Sequence, residues 1–504
     1  MAVDEVSQQE HPSELEDLIP EVREIDRRRR RRRAYVGIAL LLVVVLVVAL
    51  LVAIGGRGTS TPLPQGMLGP AWSSSLAQAN VPPGLQGWPG LTLEGLSCPV
   101  IGECVAVGAR TSGRAIQAAV VAQQGGKWGS PIIVGPDPSH GSTDLRLVSC
   151  IFSETCIAST GEAPAEFLVA ENHGHWSHNH VLPFSPAEEI PVATACSSDG
   201  QCWFIVTEIS QTGSTDNTYA VGEKAGHWLA PFRLGSLGGK AVQHRLSGVL
   251  NARISCAAPS TCTVVGYQRY AGAPVSFAQS ETEGRWGRAA PAIKTFSSLV
   301  SPNNFNWHAP LSFSCTSPNS CLFVGSHGVD QEIAGRWLAP AESVGDAGPY
   351  KDDNYPQVTC ATEALCMASG YSQNARGTRV VTFAQADVAG HWQRPQLLLG
   401  LGTNGNGALI QGASCPSTST CDLVGQFNGS KRGWGRVLSV EARYDHSRWH
   451  YWIVSLGTTR DQTAIDGLSC TRGACWVIGN ERSRGGVLVR GFVYRFAVPP
   501  GGQS

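Results

Sequence analysis

Two regimes of apolar patterning divide the chain. Ala34 to Ile54 reads AYVGIALLLVVVLVVALLVAI, 21 residues without a charge, long enough as a helix at about 1.5 Å per residue to cross a bilayer once. A Gly-, Pro- and Thr-rich stretch at 55–69 follows with no apolar period, which predicts a linker. Beyond it the pattern changes to short apolar runs broken by turn residues. One run ends at a cysteine, a few residues rich in Ser, Pro, Thr, Gly or Asp intervene, and a second run begins through another cysteine, as in LSCPVIGECVAVG from Leu96 to Gly108. That pattern predicts a β-hairpin. A third run comes next, such as AIQAAVVAQ, FLVAE, VSFAQS, VVTFAQA or VLSVEARY, and then a turn with Gly-x-Trp or a close relative. The tryptophans so placed are Trp128, Trp176, Trp228, Trp286, Trp337, Trp392 and Trp449.

The hairpin unit occurs eight times, with copies beginning at Leu96, Val148, Thr194, Ile254 and Phe313 and around Cys360, Cys415 and Cys470. Four short strands in a repeat of about 50 residues match one blade of a β-propeller. The expectation is therefore an all-β, eight-bladed β-propeller over 70–498, preceded by a single transmembrane helix at 34–54. The eighth repeat has a third run in GGVLVRGFVYRFAV but no Gly-x-Trp after it. A strand from before the first repeat must complete that blade, and GPAWSSSLAQA around Trp72 is the expected donor, which would remove an exposed sheet edge.

Composition agrees with a turn-rich β protein: 58 Gly, 30 Pro and 15% charged residues. Charge adds orientation. Residues 1–33 carry 8 Arg and 9 acidic residues, and the rest of the chain is balanced, which argues against nucleic acid as a partner. The block Arg27 to Arg33 stands just before the apolar segment, and such a block holds its flank in the cytoplasm. The expectation is a cell-membrane protein, single-pass, with residues 1–33 as a cytoplasmic tail, the propeller outside and a short tail at 499–504. Leu15, Leu18, Ile19, Val22 and Ile25 have helical spacing interrupted by Pro20. A disordered tail whose arginines meet anionic lipid is the simpler reading.

All 16 cysteines belong to the hairpins, seven pairs spaced C-x5-C and one, Cys470 and Cys475, spaced C-x4-C. Facing positions across a short hairpin come within disulfide reach, and the outward topology is oxidising. Eight intra-blade disulfides are expected: Cys98–Cys104, Cys150–Cys156, Cys196–Cys202, Cys256–Cys262, Cys315–Cys321, Cys360–Cys366, Cys415–Cys421 and Cys470–Cys475. Closing so small a loop contributes about 2 kcal/mol each on chain entropy. Zinc would need a spacing such as C-x2-C, which is absent, so no metal and no cofactor is expected.

With its SC-x5-C-x-x-VG units the region from about residue 70 to 498 resembles the secreted or membrane-anchored repeat propellers of high-GC Gram-positive bacteria. The Gly-x-Trp turn is similar to the Asp-box hairpin of sialidase-like propellers, S-x-D-x-G-x-T-W. The nearest copy is SETEGRW from Ser280 to Trp286. The resemblance implies related blade geometry.

In an up-and-down blade the cysteine hairpins and the Trp turns share one rim, and irregular insertions occupy the other. Variable loops on a rigid scaffold are the usual place for binding. Asp216, Arg269, Tyr270, Asn304, Trp307, His308, Asp352, Asp353, Tyr355, Asn404 and Asn428 are the candidate contacts, since aromatic, amide and carboxylate groups suit carbohydrate or peptide ligands. HGHWSHNH holds His173, His175, His178 and His180. His175 fills the repeat slot before Trp, however, which His227 and His391 also fill, so it is a turn residue. The chain has no G-x-S-x-G, H-E-x-x-H, Walker A or C-x-x-C motif. These features point to an extracytoplasmic binding or scaffold module for envelope glycan or protein. A glycoside hydrolase using two carboxylates is the alternative, and a sensor acting through the short tail is a third.

Overall fold

The computed structural model describes residues 85–496 apart from intervening segments, of which 236–249, 292–311 and 338–349 are the longest; for some strand residues only the backbone is described. The cytoplasmic, membrane and linker segments expected at 1–69, with Trp72, lie outside the described residues. From Leu76 to Ser504 the chain is one compact unit.

Eight antiparallel sheets follow one another, each ordered as strands one to four. In blade 1 these are Leu91–Val100, Glu103–Ser112, Ala115–Gln124 and the short Lys127–Trp128. The second strand, with Cys104 to Ala109 buried on both faces, is sandwiched between neighbouring blades and so reads as an unbroken apolar run. First strands touch first strands all the way round, including Leu91–Val100 of blade 1 against Gln462–Thr471 of blade 8. The ring is closed, and its first strands line the axis.

Closure uses the N-terminal strand, as the missing Gly-x-Trp required, but a different one. Gln86–Pro89 pairs antiparallel with Leu488–Phe496, placing Trp88 opposite Gly491. This strand thus completes blade 8 in place of the one expected around Trp72, and Trp88 packs on Trp128 of blade 1 (6.3 Å between centroids). The reason is chain length: only Gly90, at φ 69°, separates this strand from the first strand of blade 1. That strand then slants across blade 8. The Leu93 N–H donates to Asn480 Oδ1 (2.9 Å) and Asn480 Nδ2 donates to the Leu93 carbonyl (2.8 Å).

All eight disulfides form within their own hairpins. The serine before the cysteine has a separate task, because its hydroxyl accepts a hydrogen bond from the cysteine N–H of the next blade. Cys150 bonds Ser97 (3.1 Å), Cys196 bonds Ser149 (3.0 Å), Cys315 bonds Ser255 (3.0 Å) and Cys360 bonds Ser314 (3.1 Å). Cys98 closes the circle onto Ser469 at 3.0 Å, across 371 residues of sequence. Blade 3 has Ala195 in the serine position and forgoes the bond.

The fourth-strand tryptophans wedge blades apart at the right spacing. Among those whose side chains are described, each packs on the residue after the second cysteine of the preceding blade: Trp128 on Trp476 (5.6 Å between centroids), Trp286 on Trp203 (5.2 Å), Trp176 near Val105, Trp228 near Ile157 and Trp392 near Leu322. Between blades 7 and 8 the equivalent residue is Asp422, fully buried and held by Arg443, whose guanidinium lies 5.8 Å over the Phe496 ring.

The recurring glycine of C-x-x-V-G also has a defined cause. An added Cβ at Gly108 would lie 2.0 Å from the Thr92 carbonyl oxygen, and one at Gly479 would lie 2.2 Å from that of Ala464. Opposite both, the first strand carries a β-bulge, between Leu93 and Gly95 and between Ile465 and Gly467. Gly108→Ala is expected to cost about 2–3 kcal/mol because backbone must move. Ser469→Ala should cost only about 1 kcal/mol, one hydrogen bond. Chemical unfolding of the oxidised protein measures both, and the order of the two effects is the check.

Candidate functional site

The bulges determine what the axial strands present. The inserted residue stands four before the first cysteine: Glu94, Arg146, Val192, Gln411 and Asp466 in blades 1, 2, 3, 7 and 8. Charge is concentrated in consecutive blades 8, 1 and 2. Arg146 Nε reaches Glu94 Oε2 across the blade boundary and Asp144 Oδ2 in its own blade, both at 3.1 Å, with each side chain about a third exposed or less. Asp466 Oδ2 accepts from Asn480 Nδ2 at 2.7 Å, the same amide that clasps Leu93. Solvent reaches Asp466, yet protein encloses it on its other sides. That enclosure pushes its carboxyl up to about 6, against the opposing effects of the Asn480 hydrogen bond and the Arg482 charge. Further round, Arg253 Nη1 donates to the carbonyls of Val192 (3.3 Å) and Ala252 (3.0 Å), tying blade 4 to blade 3.

A second set of polar residues, five of the six acidic, lies near the cysteine rim. The third-strand residue opposite the second cysteine is Gln123, Glu171, Glu223, Glu281, Glu332 or Asp387 in blades 1–6, and it also pairs with the fourth-strand Trp. All six are buried. Glu171 accepts from the Gly174 N–H at 2.6 Å, and Glu281 and Asp387 accept from those of Gly284 and Gly390. The turns they brace place His173, Glu283 and Ala389 at positive φ beside a positive-φ glycine, the signature of a two-residue type I′ hairpin. In SETEGRW, therefore, the bracing acid is Glu281. Burial raises the carboxyls of Glu281, Glu332 and Asp387. Glu171, Glu281 and Asp387 thus serve as turn clasps.

The structure scatters the expected loop contacts. Asp216 lies in Thr215–Lys224, Arg269 and Tyr270 in Thr261–Tyr270, and Asn428 ends Thr420–Asn428. Asp352, Asp353 and Tyr355 belong to Tyr350–Thr362, a 13-residue axial strand rather than a loop insertion. Asn304, Trp307, His308 and Asn404 lie outside the described residues, as do His178 and His180. His173 and His175 are exposed turn residues. Among the described residues Asp422, Cys470 and Cys475 form one grouping with the closeness of metal ligands. Both sulfurs are spent in a disulfide and both carboxylate oxygens on Arg443, so the grouping does not fit a metal.

Sequence reasoning missed the axial charges. Aligning the eight repeats on their first cysteine would have shown Glu94, Arg146 and Asp466 as charged positions inside apolar strands.

The arrangement defines a closed eight-bladed propeller with a charged, solvent-reached sector on its axis. No family model matches the chain, and no curated protein matches it. Among solved structures it is similar to the WD40 domain of SCAP from fission yeast, with 8% identity over 81% of this chain and 93% of that one and a TM-score of 0.41. It is also similar to the Hadza microbial sialidase Hz136, with 12% identity, coverage of 74% and 68% and a TM-score of 0.35. The β-propeller domain of the Trilobed protease from Pyrococcus furiosus matches at 7% identity, coverage of 75% and 98% and a TM-score of 0.39.

The raised carboxyl of Asp466 gives a signed prediction. Its ionised form is disfavoured in the folded state, so it costs stability as pH rises from about 4, the ordinary aspartate value, through about 6. Asp466→Asn keeps an acceptor for Asn480 and removes the charge. The variant's thermal midpoint relative to the parent is expected to rise across that interval and to be flat outside it.

Proposed function

We propose that this protein is a membrane-anchored, extracytoplasmic binding module for an envelope glycan or protein, with its ligand held at the axis and the rim opposite the cysteine hairpins. The observation that carries the reading is the unequal axial band. Disulfides, serine bonds, Trp wedges and turn clasps recur around the ring because they build it, whereas charge at the bulge position is confined to blades 8, 1 and 2, where closure does not require it. Solvent-reached polar groups concentrated in one sector suit a ligand's hydrogen-bonding groups. The location is supported by the 21 uncharged residues at Ala34 to Ile54, the arginines preceding them, and sixteen cysteines paired in eight disulfides, which favour an oxidising compartment.

One observation favours a second reading, a glycoside hydrolase. Asp466, with its raised carboxyl, and Glu94, held by Arg146, stand at equivalent bulges on adjacent blades, and paired carboxyls in unlike environments are what acid–base cleavage of a glycosidic bond uses. The two readings separate on one preparation. Oxidised protein is incubated with envelope extract, and both retained ligands and released sugars are measured. The binding reading expects retention without release, weakened about tenfold or more by Arg146→Ala through loss of a charged hydrogen-bonding partner. Release of reducing sugar that Asp466→Asn abolishes would replace binding by hydrolysis.

A further inference from the structure

The rim carrying the cysteine hairpins and the Trp turns is built uniformly, yet its exposed chemistry is one-sided. The residue before the fourth-strand Trp is basic in all seven blades that have the Gly-x-Trp turn. Lys127, His175, His227, Arg285 and His391 are exposed there, and Arg fills the slot in blades 5 and 7. Glu283 and Glu363 are exposed acids among them, so the bases predominate. The hairpin tips of most blades are polar, for example SSDG, TSPN and PSTS in blades 3, 5 and 7. Blades 1 and 2 depart from this. Ile101 at one tip is 64% exposed and Phe152 at the next is 54%, side by side because the two blades are neighbours in the ring. Leaving two large apolar side chains in water at adjacent tips forfeits burial that a partner can restore.

The course of the chain bears on what that partner is. In blade 8 the strand Gln86–Pro89 runs antiparallel to Leu488–Phe496, whose last residue lies opposite Cys475, so its course leads away from this same rim. The uncharged segment Ala34 to Ile54 precedes it in sequence.

We propose that this rim docks on an anionic lipid surface, with Ile101 and Phe152 entering the headgroup layer and the ring of basic slots pairing with lipid phosphates. The proposal extends the membrane-anchored reading by orienting the propeller: cysteine rim toward the bilayer, opposite rim toward ligand. Apolar insertion and basic contacts are complementary, since each is weak alone and the two together hold a peripheral surface.

The test uses residues 76–504, which form one compact unit containing all eight sheets and all eight disulfides. Leaving out the apolar segment prevents its own insertion from masking the result. Binding is measured by co-sedimentation with vesicles of phosphatidylcholine alone or mixed with phosphatidylglycerol. The expected result is binding to the anionic vesicles and little to the neutral ones. Ile101→Glu with Phe152→Glu should reduce it about tenfold or more, and Lys127→Glu with Arg285→Glu should do so at roughly fivefold per charge. All four positions are exposed, so an unchanged unfolding midpoint is expected and confirms that each variant is folded. Equal binding to both vesicle types, no binding, or variants that bind like the parent would overturn the proposal. Retention of an envelope ligand through Arg146 is read separately, so either idea can fail while the other stands.

Discussion

One hydrogen bond, repeated from blade to blade, governs this molecule: a serine hydroxyl on one axial strand accepts the cysteine N–H of the next. A backbone N–H on an axial strand has no partner within its own sheet on the side facing the neighbouring blade, and leaving it buried and unpaired would cost about 1–3 kcal/mol. The hydroxyl meets that need and sets the stagger between blades. Because the last such bond joins Cys98 to Ser469, the same short-range rule produces closure across nearly the whole chain. No separate device is needed to bring the ends together, and Asn480 on Leu93 reinforces the seam.

Around that girdle each remaining part of the repeat has a radius at which it acts. The disulfide pins its own hairpin just above the girdle, the glycine opposite the bulge lets the first strand slant across the preceding blade, and the Trp fills the wedge that opens with distance from the axis. The buried third-strand acid holds the outer turn. Where the pattern is broken, the reason is local. Asp422 with Arg443 replaces an apolar wedge contact at the boundary where the N-terminal strand, not a Gly-x-Trp hairpin, completes the next blade. A buried pair of this kind contributes little net stability against an apolar contact but penalises any misfit strongly, which suits a boundary formed between distant parts of the chain.

Much of this was legible in the sequence because it repeats. Cysteine spacing, turn composition and run length specify four strands and eight blades, and the absent eighth Gly-x-Trp demands a donated strand. The donor was misread because Trp72 lies in a segment richer in turn-like and small residues, whereas Trp88 stands one glycine away from the first axial strand and so resembles part of blade 1. The serine of the SC pair was visible but mute, since its partner belongs to another repeat and spacing within one unit cannot reveal it. The axial charges were hidden by the bulge: an alternating strand would turn Glu94 and Asp466 into a blade interface, and only the extra residue brings them to the axis. Loop residues such as Asp352 looked like insertions because polar residues dominate them, yet the axial strand simply runs longer there.

The central claim is that the circle is closed by an internal hydrogen bond, and the amide of Cys98 reports on it directly. Hydrogen exchange measured residue by residue on the oxidised protein should show this amide exchanging only with global unfolding, as slowly as the amides of the second strands. Exchange as fast as at an unpaired sheet edge, with the other cysteine amides protected, would mean that the ring stands open between blades 8 and 1, and the account would be wrong.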